Sequence, residues 1–322
     1  MMSTERSRIS SFFTSTCREG GRFIFEGHIP AFSTVLPRLG LAALILCILS
    51  GVILTFQYRP FGNVFKNLEE ITSLIPYGWF FRQIHYITGQ AFVFLMLLHT
   101  ADHFIRRRYR VYAPGEWTNL TAALLACFFA LFTGFILKGD KEGLFAGKIL
   151  ASILDTIPRL GKGIAGLLVG SEDDFFFLPY LHHCFFIPLL VGYLLKDHIR
   201  DWLPGKGFMA AAGILAASYA LVVAPFIDIP PDAPAEAVTG PWFFLGIQSL
   251  LRNWPVFPVG ILLPLIFVLL VLILPLVSSM STGGSRKAMR AYYLLERVIY
   301  WIILAAAFSY LLLVLSAALK GP

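Results

Sequence analysis

The residues most able to do chemistry in this chain are histidines that recur at helical intervals within apolar sequence. His85 and His99 are fourteen apart and His183 and His198 fifteen apart. At about 100° and 1.5 Å per residue, each pair falls within about 60° of one azimuth, with roughly 21 to 22 Å between its members. Two such helices running the same way set His85 opposite His183 and His99 opposite His198. Imidazoles on facing helices can ligate low-spin haem iron axially, and a haem's width requires small neighbours, for which Gly51, Gly89, Gly134 and Gly192 are the candidates. A single intramembrane histidine reads more simply as a hydrogen-bonded packing residue, but four in register do not. A proton relay in a transporter is the reading from another class, and it leaves the matched spacings without a reason.

The other histidines fit less well. Taking His182 in place of His183 would turn the ligands about 160° apart. His103, one turn beyond His99 beside a run of arginines, and His28, before the first apolar run, read as interfacial. Arg82, three residues before His85, is a candidate partner for a haem propionate because a guanidinium grips a carboxylate through two parallel hydrogen bonds.

These residues must be positioned by membrane helices. The chain has 322 residues, 57% hydrophobic and 14% charged, with a mean hydropathy of +0.73, outside the range of soluble domains. Apolar runs near 38–57, 84–105, 117–137, 179–197, 208–226, 256–277 and 298–318 approach the roughly 20 residues needed to cross a bilayer. The expected architecture is an all-α integral membrane protein of seven spans, a four-helix haem-binding bundle followed by three further helices. Its expected divisions are an N-terminal segment 1–37, a di-haem domain 38–204 and a C-terminal domain 205–322. No signal peptide is expected.

Most of the 26 basic residues fall in the N-terminal segment and in alternate short loops, which places the N-terminus in the cytoplasm. That distribution suits lipid headgroups and argues against a nucleic-acid partner. The four cysteines, Cys17, Cys47, Cys127 and Cys184, form no C-x-x-C-H motif, so any haem is noncovalent. Two long loops share the outer side: 138–177, where two short interfacial helices are expected, and 227–255, proline-rich at first and then apolar.

With these residues in view, the chain resembles the cytochrome b family of quinol:cytochrome c and quinol:plastocyanin oxidoreductases. The first span ends S-G-V-I-L-T-F-Q-Y-R-P, similar to the family's T-G-x-x-x-T-F-Y-Y-R-P. The second begins G-W-F-F-R-Q-I-H, and the third runs from E-W-T-N-L-T to F-T-G-F-I-L. The fifteen-residue ligand spacing is similar to that of the photosynthetic branch, with the three-span subunit that is separate there fused on here. The resemblance implies two noncovalent b haems and an outer and an inner quinone site. It also implies an iron-sulfur protein and a c-type cytochrome as partners, a homodimer within a larger complex, and a bacterial inner membrane.

On the same basis the outer pocket would use Phe135, Ile136, Pro241, Trp242 and Phe243, and the inner one Lys196, Asp197, Arg200 and Asp201. The simpler alternatives are interfacial packing for the first set and snorkelling charges for the second. G-P-W-F stands where the family has P-E-W-Y, so Pro241 replaces a glutamate thought to take a proton from quinol. Lys138 and Gly139 replace the family's P-W. Asp140 and Glu142 read as solvated loop residues, with substitution for the missing acid as the alternative. No cysteine stands at Val35 or Leu36, where the photosynthetic branch fixes an extra haem. The missing acid also suits a non-bifurcating conduit that joins the quinone pool to a periplasmic multihaem cytochrome or another redox partner.

Overall fold

The computed structural model describes residues 29–171, 174–225, 228–234, 238–281 and 285–320. His28, Cys17 and most of the expected N-terminal segment lie outside them. The chain divides into two compact units, Met1–Val35 and Leu36–Pro322, and the second contains the helical bundle. Among the described residues all regular structure is helical.

Helix α1 spans Ile29–Thr55 and stops ahead of Pro60, which cannot continue a helix. The short α2, Val64–Ser73, is opened by Asn63, whose side chain accepts the Lys66 N–H at 2.9 Å. It buries Val64, Leu68 and Ile71 on one face. Tyr77 turns the chain with φ 60, and α3, Gly78–Ile105, begins at once. Gly78 is required there, because a Cβ would run into the Ile71 carbonyl.

Pro114 opens α4, Pro114–Ile136, where its missing N–H costs nothing. Gly139, at φ +62, then reverses the chain, and Asp140 caps α5, Lys141–Asp155, by accepting the Gly143 N–H at 2.8 Å. α6, Gly161–Leu168, follows. These are the two short helices expected between 138 and 177.

α7, Phe177–Arg200, contains one π turn over His182–Phe186. Pro188 lies just beyond it, and a proline both lacks an N–H and crowds the carbonyl four residues back. The wider turn is a fitting answer to that crowding. Beyond α7 come α8, Lys206–Val222, the short α9, Leu245–Leu251, then α10, Pro258–Met280, and α11, Arg286–Lys320.

Among the described residues six helices are long and apolar enough to cross a membrane. The expected fifth span, 208–226, is represented by α8, whose 17 residues reach about 25 Å, short of a hydrocarbon core of about 30 Å. α8 ends ahead of Pro225, and the residue before a proline is pushed out of the helical region.

α4 is the central helix. It packs on α3, α5, α7 and α10, whereas α3 and α7 have no extensive contact with each other. One core joins α1, α3, α4 and α7 through Ala43, Phe92, Val93, Cys127, Ile187 and Val191. A second, at the opposite end from His85, joins α3, α4, α10 and α11 through Phe104, Trp117, Leu274 and Ile303, with Tyr109 from the intervening loop. A third comprises Phe132, Ile136 and Ala146 with Phe135, Phe175 and Phe243 around them.

Candidate functional site

His85 and His183 face each other with ring centroids 5.8 Å apart, and His99 and His198 with centroids 6.2 Å apart. Two imidazoles bonded to one metal ion at about 2 Å each would have centroids about 6 Å apart, so both gaps fit an iron between the rings. The structure brings together the two pairs that the periodicity pointed to.

His85 and His183 are held by the same device. His85 donates its Nδ1–H to the Cys47 carbonyl at 2.9 Å, and Gly51, one turn on in α1, lies against the ring. His183 donates its Nδ1–H to the Ala130 carbonyl at 2.9 Å, and Gly134, one turn on in α4, lies against that ring. A carbonyl can only accept, so both rings carry the proton on Nδ1 and leave Nε2 with its lone pair. A Cβ on Gly51 or Gly134 would stand 2.8 or 2.7 Å from the imidazole Cε1. Gly89 instead adjoins the Cys47 Sγ, and Gly192 has open space around it.

The one-residue difference in spacing has a local answer. Within the π turn, Ile187 donates to the His182 carbonyl, five residues back. Such a turn absorbs one residue more than an α turn, so fifteen residues on α7 do nearly the work of fourteen on α3.

The pair His99 and His198 is built differently. The His99 Nδ1 is buried without a hydrogen-bond partner. Its ring is flanked by Trp202 at 5.9 Å and by His103 at 4.2 Å, nearer than His198. His103 and the Tyr112 hydroxyl share a 3.2 Å hydrogen bond. His103, four residues on, shares the face of His99. His182 points away, its Nε2 donating to the Leu167 carbonyl at 2.9 Å.

The Arg82 guanidinium pairs with Asp228 and donates to the Thr72 hydroxyl at 2.9 Å. Asp228 belongs to a larger cluster. Lys138 Nζ lies 2.6 Å from Asp140 Oδ2 and 3.5 Å from both Glu142 Oε2 and Asp228 Oδ1. The Asp140 side chain is 1% exposed, which overturns its reading as a solvated loop residue. Burial pushes the Asp140 carboxyl above its ordinary range, against the opposing pull of Lys138. Burial would lower Lys138, but Asp140, Asp228 and Glu142 together hold it above its ordinary value.

Of the expected pocket residues, Pro241 and Ile136 are buried, Phe135 and Phe243 both pack on the cluster around Ile136, and the Phe243 ring lies tilted 5.5 Å from Phe128. Trp242 donates its indole N–H to Gln90 at 2.8 Å, and Tyr310 of α11 donates to the Phe243 carbonyl at 2.5 Å. Sequence reasoning did not single out Gln90 or Tyr310. At the other end, Lys196, Asp197, Arg200 and Asp201 are arrayed around the exposed end of α7, with the Lys196 ammonium 4.9 Å from the Tyr193 ring.

Comparison with known proteins is consistent with this geometry. The family described as Cytochrome b/b6/petB matches residues 27–200. Cytochrome b of Rickettsia bellii (strain RML369-C) is 25% identical over 302 residues, covering 82% of this chain and 74% of that protein. A chain of a hyperthermophilic respiratory Complex III superposes with a TM-score of 0.57 at 17% identity, covering 97% of this chain and 98% of that one, a likeness of fold. Members of the matched family bind b-type haem and serve as subunits of membrane quinol oxidoreductases. With that match spanning more than half of its 322 residues, the chain belongs to the cytochrome b family.

Proposed function

We propose that this chain is the di-haem cytochrome b subunit of a membrane quinol oxidoreductase, moving electrons between an outer and an inner quinone site. The observation that carries the reading is the opposition of His85 to His183 and of His99 to His198, at separations that suit one iron each. His85 and His183 would hold the outer haem and His99 and His198 the inner one, the group supplying a one-electron carrier at each depth. The carbonyls of Cys47 and Ala130 fix the outer imidazoles, and Gly51 and Gly134 give them room. Arg82, already paired with Asp228, is left out of this set.

The quinol pocket belongs at the outer end, among Phe135, Ile136, Pro241, Trp242 and Phe243. In the full assembly the partners would be an iron-sulfur protein and a c-type cytochrome, with the subunit dimeric, its N-terminus cytoplasmic, and α8 the fifth of seven spans in a bacterial inner membrane. Burial of Pro241, where the family carries an acid, favours one further reading. In that reading the subunit is a non-bifurcating conduit from the quinone pool to a multihaem cytochrome or another redox partner.

The test is a reduced-minus-oxidised spectrum with a haem assay on the protein purified in mild detergent, repeated for His85→Ala and His198→Ala. Two b haems in the parent and one in each variant are expected; no haem, or a content indifferent to both substitutions, overturns the proposal. Reduction by quinol with and without a high-potential acceptor separates the two readings.

A further inference from the structure

Outside the histidine pairs, the densest collection of ionisable groups is the cluster at the outer end of α3 and α4. Three carboxylates, Asp140, Glu142 and Asp228, surround Lys138, and Arg82 pairs with Asp228 from the other side. Fully ionised, these five groups carry one net negative charge. Asp140 and Asp228 are 1% and 9% exposed, and the Asp228 Oδ1 is buried with no hydrogen bond. An excess charge taken out of water is costly and is relieved by binding a proton. The upward displacement of the Asp140 carboxyl has burial as its largest cause.

Glu142 connects this cluster to the loop of the quinol pocket. Its Oε1 accepts a hydrogen bond from the Thr239 hydroxyl at 3.0 Å while its Oε2 faces Lys138. Thr239 stands two residues before Pro241. Gln248 braces the same stretch, accepting the Gly240 N–H and donating to the Val238 carbonyl, both at 2.8 Å. A narrow crevice lined by Glu142, Ala146, Thr239, Gly240, Phe244 and Gln248 runs between α5 and this loop. With a quarter of its side chain exposed, Glu142 has protein on one side and the outer surface on the other.

We propose that Glu142, backed by Lys138, Asp140 and Asp228, accepts the protons of quinol at the outer face, an assignment that rests on the quinol reading of the subunit. One quinol O–H bond breaks, its proton passes to a Glu142 carboxylate oxygen, and the accompanying electron passes to a one-electron carrier of the assembled complex. Loss of that proton to outer water restores the carboxylate for the second proton and electron, leaving quinone. Lys138 stabilises the carboxylate, and Asp140 and Asp228 oppose it; Arg82 and Tyr86 lie on the α3 side of the same cluster. Lys141 is turned away, bonded to the carbonyls of Ala233 and Pro234.

The test is Glu142→Gln in membranes that contain the whole complex. Haem reduction is followed after mixing with decylubiquinol or a reduced menaquinone analogue across pH, with dithionite-reducible haem as the measure of assembly. Loss of a positioned base predicts a rate down roughly 100-fold and a flattened pH profile, at parental haem content. Infrared spectra across pH give a readout independent of turnover, with the titrating carboxylic carbonyl absorption reduced in E142Q. A parental rate and profile in E142Q overturn the assignment while the quinol reading stands. Should neither quinol reduce the parent although dithionite does, both fall and the haem reading survives. Where E142Q fails to assemble, Thr239→Val decides, because it keeps the carboxylate and removes only its hydroxyl donor: a displaced profile supports the assignment and an unchanged one overturns it.

Discussion

The imidazole of His183 and the backbone of Gly134 are in direct contact, and the carbonyl that accepts the His183 Nδ1–H belongs to Ala130, one turn earlier on the same helix. α4 thus supplies both the hydrogen bond that aims the ring and the space in which it sits. α1 does the same for His85 through Cys47 and Gly51.

Adding one methyl group is therefore expected to act very differently at different glycines. Gly134→Ala and Gly51→Ala push against an imidazole that cannot swing without losing its carbonyl, and should lower outer haem content or shift its potential. Gly192→Ala meets no protein atom within 4 Å and should leave the His85 and His183 rings in place while adding about 0.5–1 kcal/mol through helix propensity. Haem content, redox titration and thermal unfolding in detergent measure all three.

Glu296 of α11 is 1% exposed and accepts hydrogen bonds from the Tyr109 hydroxyl at 2.8 Å and the Arg110 Nε at 2.7 Å. Glu296→Ala strands both donors. Arg110 is 37% exposed and can recruit water, so the loss should be about 1–3 kcal/mol, below that of a fully buried pair. Glu296→Gln, which keeps an acceptor, should lose less in the same unfolding experiment.

Tyr310→Phe removes the hydrogen bond that ties α11 to the Phe243 carbonyl. The expected cost is about 1 kcal/mol of stability, with a raised KM for quinol and unchanged haem. Unaltered quinol kinetics would show that this tie does not shape the pocket.

The Asp140 carboxyl binds its proton more tightly in the folded chain than its ordinary value of 3.8 allows. Its contribution to stability is therefore complete below that value and is lost as pH rises through the raised folded value. Asp140→Asn keeps a good helix cap and cannot ionise. Its stability relative to the parent should improve as pH is raised from about 4 through the weakly acidic range; a gap constant with pH would place the titration elsewhere.

By itself the sequence determined what depends on local repetition. Apolar length identified most of the spans, and the intervals 85–99 and 183–198 identified the histidine faces that meet, because helical rise and rotation are fixed by the backbone. The breaks around Pro158 and Gly161 marked the two short helices between α4 and α7. Tertiary structure decided what depends on distant partners. Asp140 looks like a loop residue until Lys138 and Asp228, from the loop after α8, are brought beside it. Arg82 looks free until Asp228, 146 residues away, reaches it. His103 reads as interfacial because the arginines after it dominate the local composition, whereas its packing follows from helix rotation and from Tyr112 across a turn. The π turn that brings a fifteen-residue spacing into step with a fourteen-residue one arises where Pro188 disturbs the hydrogen bonds of α7. Periodicity is a property of one segment, whereas burial and ion pairing are properties of whichever segments meet.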